Sequence, residues 1–233
     1  MNMEQGEIVV TGASGALGSG VVRALATRGR RVIAVERNAE RAEQTFAGLA
    51  NCRVLGFDVS SSEAWQRALG ASEIAGAVLV AGTWKGGSRL FEAGGDAIWS
   101  AVMSANLETA RVSLQALLPR LVAAKTGSIV AIGSRTAPRP WEGAKAAAYA
   151  ASKAALVALV QACAAEVLAD GVRINAVLPS TIDTPANRAA MPDQDPADWV
   201  SVESLSGVIA FLLSEAARDI SGAAIPVFGR DGV

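Results

Sequence analysis

Short β-branched runs alternate with amphipathic stretches along almost the whole chain. Glu7-Ile8-Val9-Val10-Thr11 reads as a buried strand and runs into Gly12-Ala13-Ser14-Gly15-Ala16-Leu17-Gly18. Over residues 16–28 the apolar positions Leu17, Val21, Ala24 and Leu25 recur at helical spacing, and Gly29 stops them. The next expectations are a strand over 31–35 ending at Glu36, a helix capped by Asn38 to about residue 49, a strand over 52–57 ending at Asp58, and a short helix capped by Ser61 or Ser62 to residue 69. Further strands are expected over 76–81, 128–132, 172–178 and 223–228, and helices over 96–122, 143–168 and 202–213. The alternation has no long linker, low-complexity tract or internal repeat, and predicts one doubly wound α/β domain over residues 1–233: a seven-stranded parallel sheet with helices on both faces. Residues 180–198, irregular and punctuated by prolines, are too long for an ordinary connection. Their place after the C-terminal end of a strand sets them over the crevice as a substrate-side loop.

The strand, glycine turn and helix at the start form the first half of a dinucleotide site. Glycines let backbone approach a pyrophosphate, and the helix N-terminus offers it unpaired N–H groups and the positive end of a dipole. Glu36 lies 18 residues after Gly18, near where a carboxylate meets a ribose 2′-hydroxyl. It favours NAD(H), because it would repel a 2′-phosphate. Arg37, next in sequence, leaves NADP(H) open.

Composition sharpens the chemistry. With no histidine in 233 residues, neutral-pH proton transfer falls to another group. Tyr149 and Lys153, four apart in an expected helix, share a face about 6 Å apart, so the ammonium is expected to favour the phenolate. A net charge of −1 without a basic cluster argues against nucleic acid as a partner. The uncharged run from 154 to 165 falls short of a bilayer span, and the acidic first residues do not read as a signal peptide, so a cytoplasmic protein with no membrane partner is expected. Cys52 and Cys163 lack metal-like spacing and read as two buried, reduced thiols; no metal is expected.

With these residues in view, the whole chain resembles the short-chain dehydrogenase/reductase family, which implies a single Rossmann-type domain and NAD(P)-dependent hydride transfer. Thr11, Gly12, Gly15 and Gly18, with Ser14, Ala16 and Leu17 between them, resemble the family's nucleotide turn, in the spacing Gly-x-x-Gly-x-x-Gly. Asp58-Val59 resembles the pair that contacts adenine, and Ala81-Gly82 stands where many members have Asn-Ala-Gly. Asn106, Ser134, Tyr149 and Lys153 are similar to the catalytic four. Ser134 lies 15 residues before Tyr149, so either Ser134 or Thr136 could face the substrate; Ser134, at its strand's end, is preferred. The stretch holding Pro179, Ser180, Ile182 and Thr184 resembles the one that binds the nicotinamide carboxamide.

The resemblance implies that Tyr149 exchanges the proton, Lys153 lowers its pKa and binds the nicotinamide ribose, Ser134 orients the substrate oxygen, and Asn106 holds a water linking Lys153 to solvent. A narrower likeness, to the dihydropteridine reductases, lies in the glycine turn, in residues 81–87 and in residues 178–192, and implies a quinonoid ring as substrate. Trp84, Trp141 and Met191, in loops expected to rim the pocket, are candidate substrate contacts. A non-catalytic dinucleotide sensor or scaffold is the alternative from another class, while cofactor-using epimerases and dehydratases are usually longer. The small residues around Tyr149 suit close approach of a second copy, and the family pairs through this helix, which implies a homodimer or homotetramer acting on a small molecule.

Overall fold

The computed structural model describes residues 6–92 and 94–230; residues 1–5, on which the reading of the N-terminus partly rests, lie outside them. The elements in chain order are β1 (Glu7–Thr11), α1 (Ala16–Ala26), β2 (Arg31–Glu36), α2 (Ala39–Phe46), β3 (Cys52–Gly56), α3 (Ser62–Leu69), β4 (Ile74–Leu79) and α4 (Gly95–Met103). They continue as α5 (Thr109–Ala124), β5 (Gly127–Ile132), α6 (Ala147–Glu166), β6 (Val172–Pro179), β7 (Ile182–Asp183), α7 (Pro185–Ala190), β8 (Val200–Ser201), α8 (Val202–Leu212) and β9 (Ala224–Val227). Seven strands form one sheet in the order β3-β2-β1-β4-β5-β6-β9, and every pairing is parallel. The order reverses between β1 and β4, which places a crevice at the C-terminal ends of those strands.

Alternate strand residues feed the two faces. Val9, Ile33, Ala77, Ile129 and Ile174 pack with Trp65, Leu117, Leu121 and Leu156 from α3, α5 and α6. Ile8, Val10, Val32, Val78 and Val130 pack with Val21, Leu25, Phe46 and Ile209 from α1, α2 and α8. Helices thus cover both faces, as the alternation predicts. By length and composition α6 could cross a membrane, yet Lys153, Leu156 and Val160 on it are buried in this fold.

Several boundaries differ from expectation, each for a local reason. Asn38 and Ser61 cap as read, accepting from Arg41 N at 3.0 Å and Ala64 N at 3.2 Å. The first of these helices stops at Phe46, ahead of the left-handed Gly48. The long helix expected over 96–122 is two helices joined by a π-helical segment, Ser104–Glu108, that contains Asn106. The helix of Tyr149 begins at Ala147 rather than 143, because Lys145 takes φ +63° and a 3₁₀ turn, Pro140–Gly143, precedes it. Residues 180–198 are not irregular: β7 pairs with β8 beyond them, and α7 is capped by Thr184 with Pro185 in its first turn.

Candidate active site

At the C-terminal end of β1 the chain makes a turn that side chains would obstruct. Gly12 has φ +63°, and a Cβ on Gly18 would lie 2.2 Å from Gly12 O. Thr11 Oγ1 accepts from Val80 N and Ala81 N, both at 3.1 Å, which ties the turn to the end of β4. Gly15, at the N-cap of α1, offers no side-chain cap, so the first N–H groups of the helix remain for a ligand. The Ser14 hydroxyl is buried, with no hydrogen-bond partner among the described residues.

Glu36, at the end of β2, accepts from Ser14 N at 3.2 Å and Arg37 N at 3.0 Å, which fixes its carboxylate against the turn. Asp58 accepts from Ser60 N at 2.9 Å and Ser60 Oγ at 2.7 Å, and these bonds hold its carboxyl below the usual range, helped by Arg37. Trp65 secures this segment from within, donating to Val59 O at 2.9 Å and meeting Phe57 edge-on at 5.0 Å.

A crevice of about 640 Å³ follows these features, bordered by Gly12, Gly15, Ala16, Leu17, Gly18, Glu36, Arg37, Asp58, Val59, Ala81 and Gly82. That volume falls in the range of small-molecule and cofactor sites. The glycine cradle, uncapped helix start, orphaned Ser14 hydroxyl and carboxylate at the end of β2 together fit a dinucleotide. Arg41 and Thr109 also border the crevice. The sequence reading missed both, although Arg41 lies one helical turn beyond Arg37.

The second constellation lies around α6. Lys153 is buried, and its Nζ donates to Ile132 O at 2.7 Å. Desolvation pulls its ammonium down to about 8. Tyr149 is hydrogen-bonded to Ser134; burial pushes the phenol up, and the serine bond offsets part of that rise. The expected lowering of the tyrosine by Lys153 is therefore corrected: the ammonium lies 5.8 Å from the ring centroid and is engaged by the end of β5.

Asn106 accepts from Thr83 N at 2.7 Å and donates to Ser152 Oγ at 3.0 Å, and Ser152 donates to Tyr149 O at 2.8 Å. Its amide is a buried tie between the β4 loop and α6. Ser152 had no sequence signal beyond its place in Tyr149-Ala150-Ala151-Ser152-Lys153. Gly82 is part of the same packing, since a Cβ there would lie 2.8 Å from Asn106 Oδ1 and 3.7 Å from Lys153 Nζ. Of Ser134 and Thr136, Ser134 is the one bonded to Tyr149, while Thr136 donates to Ser134.

The remaining candidates are more scattered. Pro179 O accepts from Arg135 N at 3.0 Å, which sets the end of β6 beside the Ser134 turn. Ser180 Oγ is engaged by Phe228 O at 2.7 Å, Ile182 is in β7, and Thr184 caps α7. None of these four borders the crevice. Trp84 and Trp141 are 64% and 71% exposed, Met191 is half-buried at the end of α7, and none of the three is on the crevice wall. The cysteines are free and half-buried rather than buried, with both thiols pushed up chiefly by desolvation.

Lys153 gives a testable stability signature. Its folded pKa of about 8 lies below the ordinary 10.5, so between those values the unfolded chain binds more protons and stability rises with pH. Tyr149 opposes this above its ordinary value of 10.0, because its folded pKa is raised. Between about pH 8 and 10, wild type is expected to gain stability over Lys153→Met by at most about 1.4 kcal/mol per pH unit. Parallel slopes of urea-unfolding free energy against pH for the two proteins would refute this.

A family model described as short chain dehydrogenase matches residues 7–195. Galactitol 2-dehydrogenase (L-tagatose-forming) from Cereibacter sphaeroides is 31% identical over 235 residues, covering 94% of this chain and 92% of that protein. A putative gluconate dehydrogenase from Agrobacterium tumefaciens superposes with TM-score 0.90 at 26% identity, covering 100% and 98% of the two chains. A 3-oxoacyl-acyl-carrier-protein reductase from Brucella melitensis with bound NAD superposes with TM-score 0.86 at 25% identity, covering 97% and 90%.

Proposed function

The chain belongs to the short-chain dehydrogenase family, and on that premise we propose that it transfers a hydride between a nicotinamide cofactor and a small carbonyl or alcohol, with Tyr149 exchanging the proton. The observation that carries the reading is the meeting of Ser134, Tyr149 and Lys153 beyond the end of β5, in a fold whose neighbouring crevice fits a dinucleotide. The cofactor supplies the hydride when bound. Everything else falls to the chain.

Burial keeps the Tyr149 phenol protonated at neutral pH, so it is prepared to give a proton to a substrate oxygen as charge develops there. Ser134 holds that oxygen by a second hydrogen bond. Lys153, with one N–H on Ile132 O, keeps two donors for the nicotinamide ribose, and Asn106 and Ser152 hold α6 in place. Gly12, Ser14, Gly15 and Gly18 take the pyrophosphate, Asp58 and Val59 the adenine, and Pro179, Ser180, Ile182 and Thr184 the carboxamide. Glu36 on the crevice wall favours NAD(H), while Arg37 and Arg41 beside it leave NADP(H) open.

In this reading residues 1–233 act as one dinucleotide-binding domain in the cytoplasm, and residues 180–198 with Trp84, Trp141 and Met191 meet the substrate. It works as a homodimer or homotetramer; a monomeric mass by light scattering at micromolar concentration would sink that part. The test of function is NADH oxidation, with NADPH in parallel, on a panel of aldehydes, ketones, quinones and quinonoid dihydropterin. Carbonyl turnover supports the proposal. Turnover of the dihydropterin alone moves the assignment to the quinonoid-ring reading, and cofactor binding without turnover of any substrate moves it to a sensor.

A further inference from the structure

We propose that Thr136 is a positioning residue that aims the Ser134 hydroxyl hydrogen at the reacting oxygen, an inference that rests on the proposed function for its catalytic meaning. A serine oxygen carries one hydrogen and two lone pairs. Ser134 Oγ accepts from Thr136 N at 3.2 Å and from Thr136 Oγ1 at 3.0 Å, so one residue fills both acceptor positions. The single Ser134 hydrogen is left to point elsewhere, and its neighbour there is the Tyr149 phenol.

The donor direction follows from the ionised state. A phenolate has no hydrogen to give, so in a Ser134–phenolate bond the serine donates. Having one hydrogen, it cannot then also donate to Thr136. The Thr136 hydroxyl must therefore be the donor, and the order runs Thr136 to Ser134 to the oxygen at Tyr149 or on the substrate. A serine already supplied with donors is a better hydrogen-bond donor itself, which is what a developing oxyanion requires.

The turn that holds Thr136 is fixed independently of the hydroxyl. Ala137 N donates to Ser134 O at 3.0 Å, and Arg135 N donates to Pro179 O at 3.0 Å. The Thr136 methyl lies 3.9 Å from where a Cβ on Gly143 would sit. Valine at 136 keeps this shape and the backbone donor and removes only the hydroxyl.

The chain has one tyrosine, so the near-ultraviolet absorbance of tyrosinate reports Tyr149 directly, in protein without substrate. Thr136→Val and Ser134→Ala are both expected to move its titration upward, and Thr136→Ser to leave it in place. In kinetics on the best carbonyl of the panel, Thr136→Val should lower kcat roughly ten-fold, from the loss of one hydrogen bond. Thr136→Ser should restore most of it, and Thr136→Val should cost nothing more in a Ser134→Ala background. An unchanged titration in Thr136→Val, or an equal loss of kcat with and without Ser134, would overturn the proposal and leave Thr136 as a loop residue. If wild type turns over nothing, the proposed function fails, while the titration still decides whether Thr136 acts through Ser134.

Discussion

Tyr149→Phe is expected to lower turnover of a carbonyl substrate by roughly 10²–10⁴-fold, the range for a lost general acid, and to leave dinucleotide binding unchanged. The size follows from the lack of a substitute. The chain has no histidine and no second tyrosine. Lys153, with a pKa of about 8, could in principle give a proton, but its Nζ is held by Ile132 O at 2.7 Å and faces the ring rather than the hydroxyl's partner, Ser134. Phenylalanine fills the same volume and leaves the Ser152 bond to the 149 carbonyl intact, so a loss of activity would not stem from a displaced helix. Steady-state kinetics together with cofactor titration by tryptophan fluorescence decide the point. A variant that keeps most of the wild-type kcat would move the proton donor away from Tyr149.

The parts of this fold that were legible in the sequence are those with local causes. Asn38 and Ser61 announced helix starts because a short polar side chain before an apolar run can accept from the third N–H along. Gly12 and Gly18 announced a tight strand-to-helix turn, and Tyr149 with Lys153 a shared helix face. What escaped notice has long-range causes. The π segment around Asn106 coincides with a bond from Thr83, 23 positions earlier, which no helical periodicity encodes. For the Tyr149–Lys153 pair spacing gives proximity but not burial: desolvation pushes the phenol up, and the lysine is itself desolvated and bonded to Ile132 O. Arg135 and Arg139 share the Glu142 carboxylate at 2.9 and 3.4 Å. That pairing depends on the 3₁₀ turn Pro140–Gly143 ahead of α6, which carries Glu142 and which no helical periodicity encodes. The sequence therefore displayed the members of the site, and folding decided how they are connected.

The three glycines of the nucleotide turn look equivalent in Gly-x-x-Gly-x-x-Gly, and their surroundings make them unequal. A Cβ on Gly15 would sit 3.3 Å from Gly12 O, a crowding that small shifts absorb; Gly15 has ordinary extended angles, φ −70° and ψ 165°. A Cβ on Gly18 would sit 2.2 Å from the same oxygen and 2.9 Å from Ala13 Cα. Those are backbone atoms of the turn itself and cannot swing aside, so α1 would have to lift off it. Gly18→Ala is therefore expected to cost stability at or above the top of the roughly 1–3 kcal/mol range for overpacking. It should also weaken dinucleotide binding at least about ten-fold, because the N–H groups at the start of α1 move with the helix. Gly15→Ala should stay within about 1 kcal/mol, the scale of an N-cap change, with affinity nearly kept. Urea midpoints and cofactor titrations on the two variants test the contrast. Equal losses would mean that the turn tolerates a shift of α1, and that the close approach of Gly18 to Gly12 is not what shapes the crevice.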